Sequence, residues 1–301
     1  VGGRGCWLSF AKLPRYTQAQ APNTKRATEP ARRQRCRSTS TPKHQVTMAI
    51  DHDADEKPTV LHINASITHS SITDRVATAM IEHLTHHYHR QVHEGSSTPP
   101  NPEDILNFEE CDVWGPQLPK FDRDVMQRVW KARHGSEDPE DLAAFKPIQD
   151  LAQQILRADF LVITSPIWNF GVPYALKQYI DCIVQPGLTF RDADAEGPSR
   201  PYFKGRPLIV ISSSGGKAPP ANEDYVFPFL QRIFAMCGFD DAHRVAIEGL
   251  AIHDKEVCFE NACKEANTIA DTVVSNNKLK LTHNIEPESA DLKHVVTAGL
   301  E

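Results

Sequence analysis

The stretch Ala158–Pro173 (ADFLVITSPIWNFGVP) limits what this chain can fold into more than any other. Leu161, Val162 and Ile163 form an unbroken apolar run. Such a run suits a parallel strand covered on both faces, whereas a half-exposed strand alternates. Trp168-Asn169-Phe170-Gly171 follows at what is then the carboxyl end of the strand, and Pro173 can open a new helix. In open α/β sheets, ligands bind at that carboxyl edge.

The rest of the chain repeats the same strand-to-helix rhythm. Val60–Asn64 reads as a first strand, followed by a hydroxyl-rich loop, Ala65–Asp74. Val76, Ala77, Met80, Ile81 and Leu84 then give a helical apolar stripe over about Thr73–Tyr88. Ser71 and Asp74 have capping-box spacing at its start. Ile105–Phe108 is the candidate second strand, Val113–Phe121 is Pro-interrupted and irregular, and Val125–Trp130 suggests a helix closed by Gly135. Pro147 is read as opening the helix that precedes Ala158. After the helix from Pro173 to about Cys182 comes a loop, Gly187–Arg191, with an exposed Phe190. Pro207–Ile211 reads as the fourth strand, ending in Ser212-Ser213-Ser214-Gly215-Gly216. A helix over about Pro228–Cys237 has Gly238 as its C′ residue. Arg244–Ile247 is a short fifth strand, and Glu256–Val274 the last helix. Five strands alternating with helices make a three-layer α/β domain with a parallel sheet.

Charge separates this domain, placed at 57–277, from its flanks. Residues 1–47 hold ten Lys and Arg against the single acid Glu29. Taking those from the chain's 33 bases and 39 acids leaves 23 and 38, a balance near −15 for the remainder. An acidic body argues against nucleic acid as a partner. The leader, 1–56, looks disordered by composition, and 278–301 looks like a loosely attached tail. Basic and rich in Ser, Thr, Pro and Gln, the leader resembles a mitochondrial or plastid transit peptide. The alternative is a start at Met48 and a cytoplasmic protein. No apolar run reaches the length of about 18 residues that a membrane span needs. Seven cysteines with no C-x-x-C suggest reduced thiols in an intracellular setting, with Cys258 and Cys263 helping to pack the last helix. The sequon Asn64-Ala65-Ser66 is discounted on the same ground. His83, His86, His87, His89 and His93 crowd the end of the first helix, with His83 and His87 at i, i+4. No acidic or Cys ligand follows in a recognised pattern, so a solvated polar face is expected there rather than a metal site.

Three strand-end loops carry the chemistry. The first supplies Ser66, Ser71 and Thr73 with backbone N–H groups at a helix start, a setting for a terminal phosphate. It lacks both G-x-G-x-x-G and G-x-x-x-x-G-K-[ST], which disfavours a dinucleotide pyrophosphate site and a Walker-type ATPase. The second offers Trp168 and Phe170 as flat walls and Asn169 as a polar handle. In the third, Ser213-Ser214-Gly215-Gly216, two glycines let the backbone approach a ligand. Together they suit a mononucleotide with a large planar head, and FMN fits that description better than ATP or NAD.

These residues also match a family. Leu61–Ser66 with Ser71–Thr73, Ser165–Phe170 followed by Leu176–Asp181, Gly187–Phe190, Ser213–Gly216, and Pro228–Leu230 through Glu248–Ala251 resemble the FMN-dependent NADH-azoreductase group of the flavodoxin-like quinone reductases. The resemblance spans about 58–275 and is strongest over 158–251. It implies a flavodoxin-like α/β/α fold with a five-stranded parallel sheet in the order 2-1-3-4-5. It implies FMN held by Ser66, Ser71, Ile72 and Thr73, by Ile167, Trp168, Asn169 and Phe170, and by Ser213, Ser214, Gly215 and Gly216. A homodimer with the flavin near the subunit interface is implied as well. The sequence departs from the family at Trp168, commonly Tyr, at Ala65, often polar, and around 122–145, which does not align cleanly.

The resemblance implies a two-step hydride transfer, from NADH or NADPH to the flavin and then to a planar quinone or azo acceptor. Trp168, Phe170 and Phe190 are the expected substrate walls. No protein nucleophile is needed, and no G-x-S-x-G elbow suggests hydrolysis. Two alternatives stand beside this reading: a flavin reductase that releases reduced FMN, and a flavin-binding protein that regulates or interacts without catalysis.

Overall fold

The computed structural model describes residues 57–92, 105–193, 197–217 and 224–276. The expected leader and tail, and His93, lie outside the described residues. Strand β1 (Thr59–Asn64) leads to helix α1 (Ile72–Val92), β2 (Asn107–Asp112), α2 (Arg123–Arg133) and α3 (Pro139–Arg157). Then come β3 (Phe160–Pro166), α4 (Tyr174–Ile183) and the two-residue strands β4 (Phe190–Arg191) and β5 (Arg200–Pro201). The chain continues through β6 (Pro207–Ser213), α5 (Phe227–Met236), β7 (Asp241–Ile247) and α6 (Lys255–Ser275).

The main sheet runs β2-β1-β3-β6-β7, and every pairing in it is parallel. This is the expected 2-1-3-4-5 order once the β4–β5 ribbon is set aside. Side chains alternate along each strand, so the apolar runs feed two cores. Leu61, Ile63, Leu161, Ile163, Leu208 and Val210 pack toward α3, α4 and α5. Val60, Phe160, Val162, Ile209, Ile211 and Val245 pack toward α1 and α6. Two fully used faces explain why Leu161–Ile163 shows no alternation.

Four expectations need correction. The second strand lies at Asn107–Asp112 rather than 105–108; it is an edge strand in which only Cys111 is buried, so its apolar signal is nearly nil. Helix α3 begins at Pro139, capped by the Asp138 side chain on the Glu140 N–H at 2.8 Å, and Pro147 sits in its interior. Pro147 deprives the Ala143 carbonyl of a donor. The burial of Phe145, Ile148, Leu151, Ile155 and Leu156 holds the helix through that point. Phe190, read as exposed, is 5% exposed and pairs with Pro201 in the β4–β5 ribbon. Finally, the capping box at α1 is only half formed. The Asp74 N–H donates to Ser71 Oγ at 3.2 Å, but the Ser71 N–H donates to the Thr68 carbonyl, and the Asp74 carboxylate turns elsewhere.

One buried cation ties the layers behind the sheet. Arg206 lies between the rings of Phe203 and Phe239, at 4.6 and 4.0 Å. Its guanidinium donates to the carbonyls of Ile155, Leu156 and Ala158 at the end of α3, and to that of Cys237 at the end of α5. It thereby satisfies acceptors that a helix leaves open at its carboxyl terminus. Burial lowers its pKa to about 10.

Candidate functional site

Parallel pairing brings the ends of five strands to one edge. Asn64 lies opposite both Asp112 and Thr164, Pro166 opposite Ser213, and Ser213 opposite Ile247. The three loops singled out above are therefore neighbours.

In the first loop three hydroxyls converge. Ser66 Oγ lies 2.9 Å from Thr73 Oγ1, and Ser71 Oγ lies 3.1 Å from the same atom. The Asp74 N–H is taken by Ser71 Oγ and the Arg75 N–H by the Ser71 carbonyl. The Ile72 and Thr73 N–H groups, at the first turn of a 21-residue helix, have no intrahelical acceptor. Hydroxyls that can rotate to donate, two orphan N–H groups and a helix dipole form a donor set suited to a phosphate-sized anion.

A polar network at the strand ends holds that loop in place. Asn64 is 1% exposed. Its Oδ1 accepts from the Ser66 N–H and from Thr164 Oγ1, each at 3.0 Å; its Nδ2 donates to Asp74 Oδ1 and Glu110 Oε1, each at 2.9 Å. Because Thr164 donates to Asn64, it accepts from His62 Nε2, 3.0 Å away, which places the proton of neutral His62 on Nε2. Burial lowers the His62 pKa to about 4. Burial, and then the charge of Glu110, raise the Asp74 carboxyl above its ordinary value. None of Asn64, Thr164, His62 and Asp74 was among the residues assigned to the site from sequence. The signal available for Asn64 and Thr164 was their position at the ends of apolar runs.

The second loop is a two-residue hairpin. The Trp168 N–H donates to the Gly171 carbonyl at 2.9 Å, and the Gly171 N–H to that of Trp168 at 2.8 Å. Asn169 and Phe170 between them have φ of 49° and 67°. Two successive left-handed residues match a type I′ turn. Asn tolerates that region well; Phe pays of order 1–2 kcal/mol to occupy it. Phe170 is 65% exposed. Trp168 packs against Trp114, ring centroids 5.8 Å apart, and Trp114 meets Tyr174 edge-on at 5.3 Å. The Trp114 indole N–H donates to the Ala65 carbonyl at 3.1 Å, which joins this aromatic row to the hydroxyl loop. Trp114 and Tyr174 were missed from sequence, Trp114 because the strand before it was misplaced.

The third loop closes the row. The Ile167 N–H donates to the Ser213 carbonyl at 2.8 Å, and the Ser214 N–H to that of Ile247 at 2.9 Å. Neither Gly215 nor Gly216 has positive φ. A Cβ on Gly215 would meet only Ala251, at 3.8 Å, and one on Gly216 nothing within 4 Å. The chain's own packing leaves the space beside both glycines open. Phe190, expected as a substrate wall, is buried in its ribbon.

Comparison with known proteins agrees with this fold. A family model described as flavodoxin-like fold matches residues 58–269. The FMN-dependent NADH:quinone oxidoreductase of Streptococcus suis (strain 98HAH33) is 34% identical over 175 residues, 57% of this chain and 83% of that protein. A relative of the same name from Nitratidesulfovibrio vulgaris (strain DP4) is 35% identical over 153 residues, 49% of this chain and 71% of that one. Among solved structures, an FMN-dependent NADH-azoreductase from Bacillus anthracis str. Ames Ancestor, in complex with FMN, superposes with a TM-score of 0.59. It shares 25% identity, over 72% of this chain and 99% of that chain.

Proposed function

The chain belongs to the flavodoxin-like fold family, and from that premise we propose that it is an FMN-dependent oxidoreductase moving hydride from NAD(P)H to quinone or azo acceptors. The observation that carries this reading is the juxtaposition, on one sheet edge, of a hydroxyl-lined helix start, an aromatic hairpin and an open glycine loop. FMN fits these residues: the orphan N–H groups of Ile72 and Thr73 and the hydroxyls of Ser66, Ser71 and Thr73 suit its phosphate. Ile167–Phe170 and Ser213–Gly216 suit its planar head. When bound, the flavin supplies reversible two-electron chemistry.

The protein's part is binding, orientation and exclusion. The Asn64 network positions the phosphate loop without offering it a charge, since the Asp74 carboxylate is turned toward Asn64. Trp168 and Phe170 are the walls against which a flat acceptor stacks, and Trp114 and Tyr174 extend them. Exposed Phe170 and Tyr174, 65% and 70% accessible, support a homodimer in which a second copy covers the mouth. Free Cys111, Cys182 and Cys237, all buried, favour a reducing compartment such as the cytoplasm.

The test is an anaerobic titration of the purified protein reconstituted with FMN. Yellow protein should be bleached by NADH or NADPH and regain colour on adding a quinone or an azo dye. Protein that stays colourless with FMN would overturn the reading. Yellow protein that neither nucleotide bleaches would make it a binding protein instead.

A further inference from the structure

The far end of α1 carries a second set of convergent side chains. His83 and His87 stand at i, i+4, one turn apart on a single helical face, a spacing that lets two imidazoles share one ion. The fold adds the acid that the local sequence lacks: Asp271, 188 residues after His83, projects from α6. His83 Nε2 lies 2.7 Å from Asp271 Oδ1, and His87 Nδ1 lies 2.6 Å from the same oxygen. The ligand-type atoms of all three residues fall within 4.8 Å of one another. His87 Nδ1 is buried and, despite the short approach, makes no hydrogen bond of acceptable geometry.

We propose that His83, His87 and Asp271 bind a divalent transition-metal ion of the zinc type, which staples α1 to α6. Two imidazole nitrogens and one carboxylate oxygen are borderline donors that suit zinc, and water completes a four-coordinate shell. Ligand atoms about 2.0–2.1 Å from a tetrahedral ion lie about 3.3 Å apart. The observed contacts must therefore open by about 0.7 Å, which Asp271, 47% exposed, can do by swinging outward. The ion replaces two crowded contacts on one oxygen. It also bridges residues far apart in sequence that come together only in the fold, so binding stabilises the folded chain over the unfolded one. The site lies past the middle of α1, away from the helix start that forms the phosphate loop. It is thus independent of the oxidoreductase reading.

The experiment uses the full chain after treatment with EDTA, titrated with Co²⁺ as a visible probe and with Zn²⁺ in competition. Wild type should take up one equivalent with intense four-coordinate visible bands, which Zn²⁺ abolishes, and Zn²⁺ should raise the thermal midpoint. His83→Ala and Asp271→Asn should each weaken binding about tenfold or more and lose the midpoint shift. His86→Ala, on the exposed face, should change neither. An unchanged far-ultraviolet circular dichroism spectrum checks that the variants fold. Binding equally strong in His83→Ala and Asp271→Asn, or no uptake at millimolar Co²⁺, would overturn the proposal.

Discussion

Acid should weaken this protein through one buried histidine beside the candidate site. His62 is 3% exposed in β1, flanked by β2 and β3. Its pKa falls from 6.5 in the unfolded chain to about 4 in the fold, chiefly because burial penalises the imidazolium. Between those values the unfolded state binds the extra proton. Stability contributed by neutral His62 is therefore complete above pH 6.5 and lost progressively as pH drops toward 4. A fall from 6.5 to about 4 corresponds to about 3 kcal/mol in full, and about 2 kcal/mol of it disappears between pH 7 and 4.5. Asp74, whose carboxyl is raised, works in the opposite direction, so the comparison must be a difference between proteins. Urea unfolding of wild type and His62→Gln at both pH values isolates the effect. Gln keeps an amide that can donate to Thr164 Oγ1 but cannot titrate. Wild type should lose about 2 kcal/mol more than the variant on acidification. Equal losses, within about 0.5 kcal/mol, would refute the argument that His62 is held neutral by burial.

Three further outcomes are expected. Ser71→Asp places a carboxylate beside the proposed phosphate position and should weaken FMN binding about 10- to 100-fold by fluorescence titration, whereas Ser71→Asn should change it little. Arg206→Met strands the carbonyls of Ile155, Leu156, Ala158 and Cys237 and should cost about 3–5 kcal/mol in urea unfolding. Phe170→Gly relieves the left-handed strain and should stabilise the chain by about 1 kcal/mol, while raising the KM for a planar acceptor as its wall is lost.

How legible these features were in the sequence depended on where the energy lies. Strands β1, β3 and β6 bury both faces, and their apolar runs announce them. Edge strand β2, with Glu109 and Glu110, is held in place by its neighbour and shows no such run. Pro147 was read by its local rule, which loses to the burial of the residues around it. At the site, the hydroxyl, aromatic and glycine loops were legible because each packs unusual residue types into a short span. Asn64, Thr164 and His62 were not, because one Asn, one Thr and one His become a network only when pairing aligns two strands. Asp271 illustrates the same limit: the acid that completes the histidine pair comes from the other end of the chain.

The hairpin at Trp168–Gly171 bears on the speed of binding as well as its strength. With both central residues left-handed and the two ends sharing reciprocal hydrogen bonds, the loop has one low-energy way to close. The hairpin backbone thus presents Phe170 at the surface, 65% exposed. If a flat acceptor stacks at Phe170 as proposed, it meets a loop that needs no backbone rearrangement. Association should then be governed by encounter, and differences in affinity among acceptors should appear in how fast they leave.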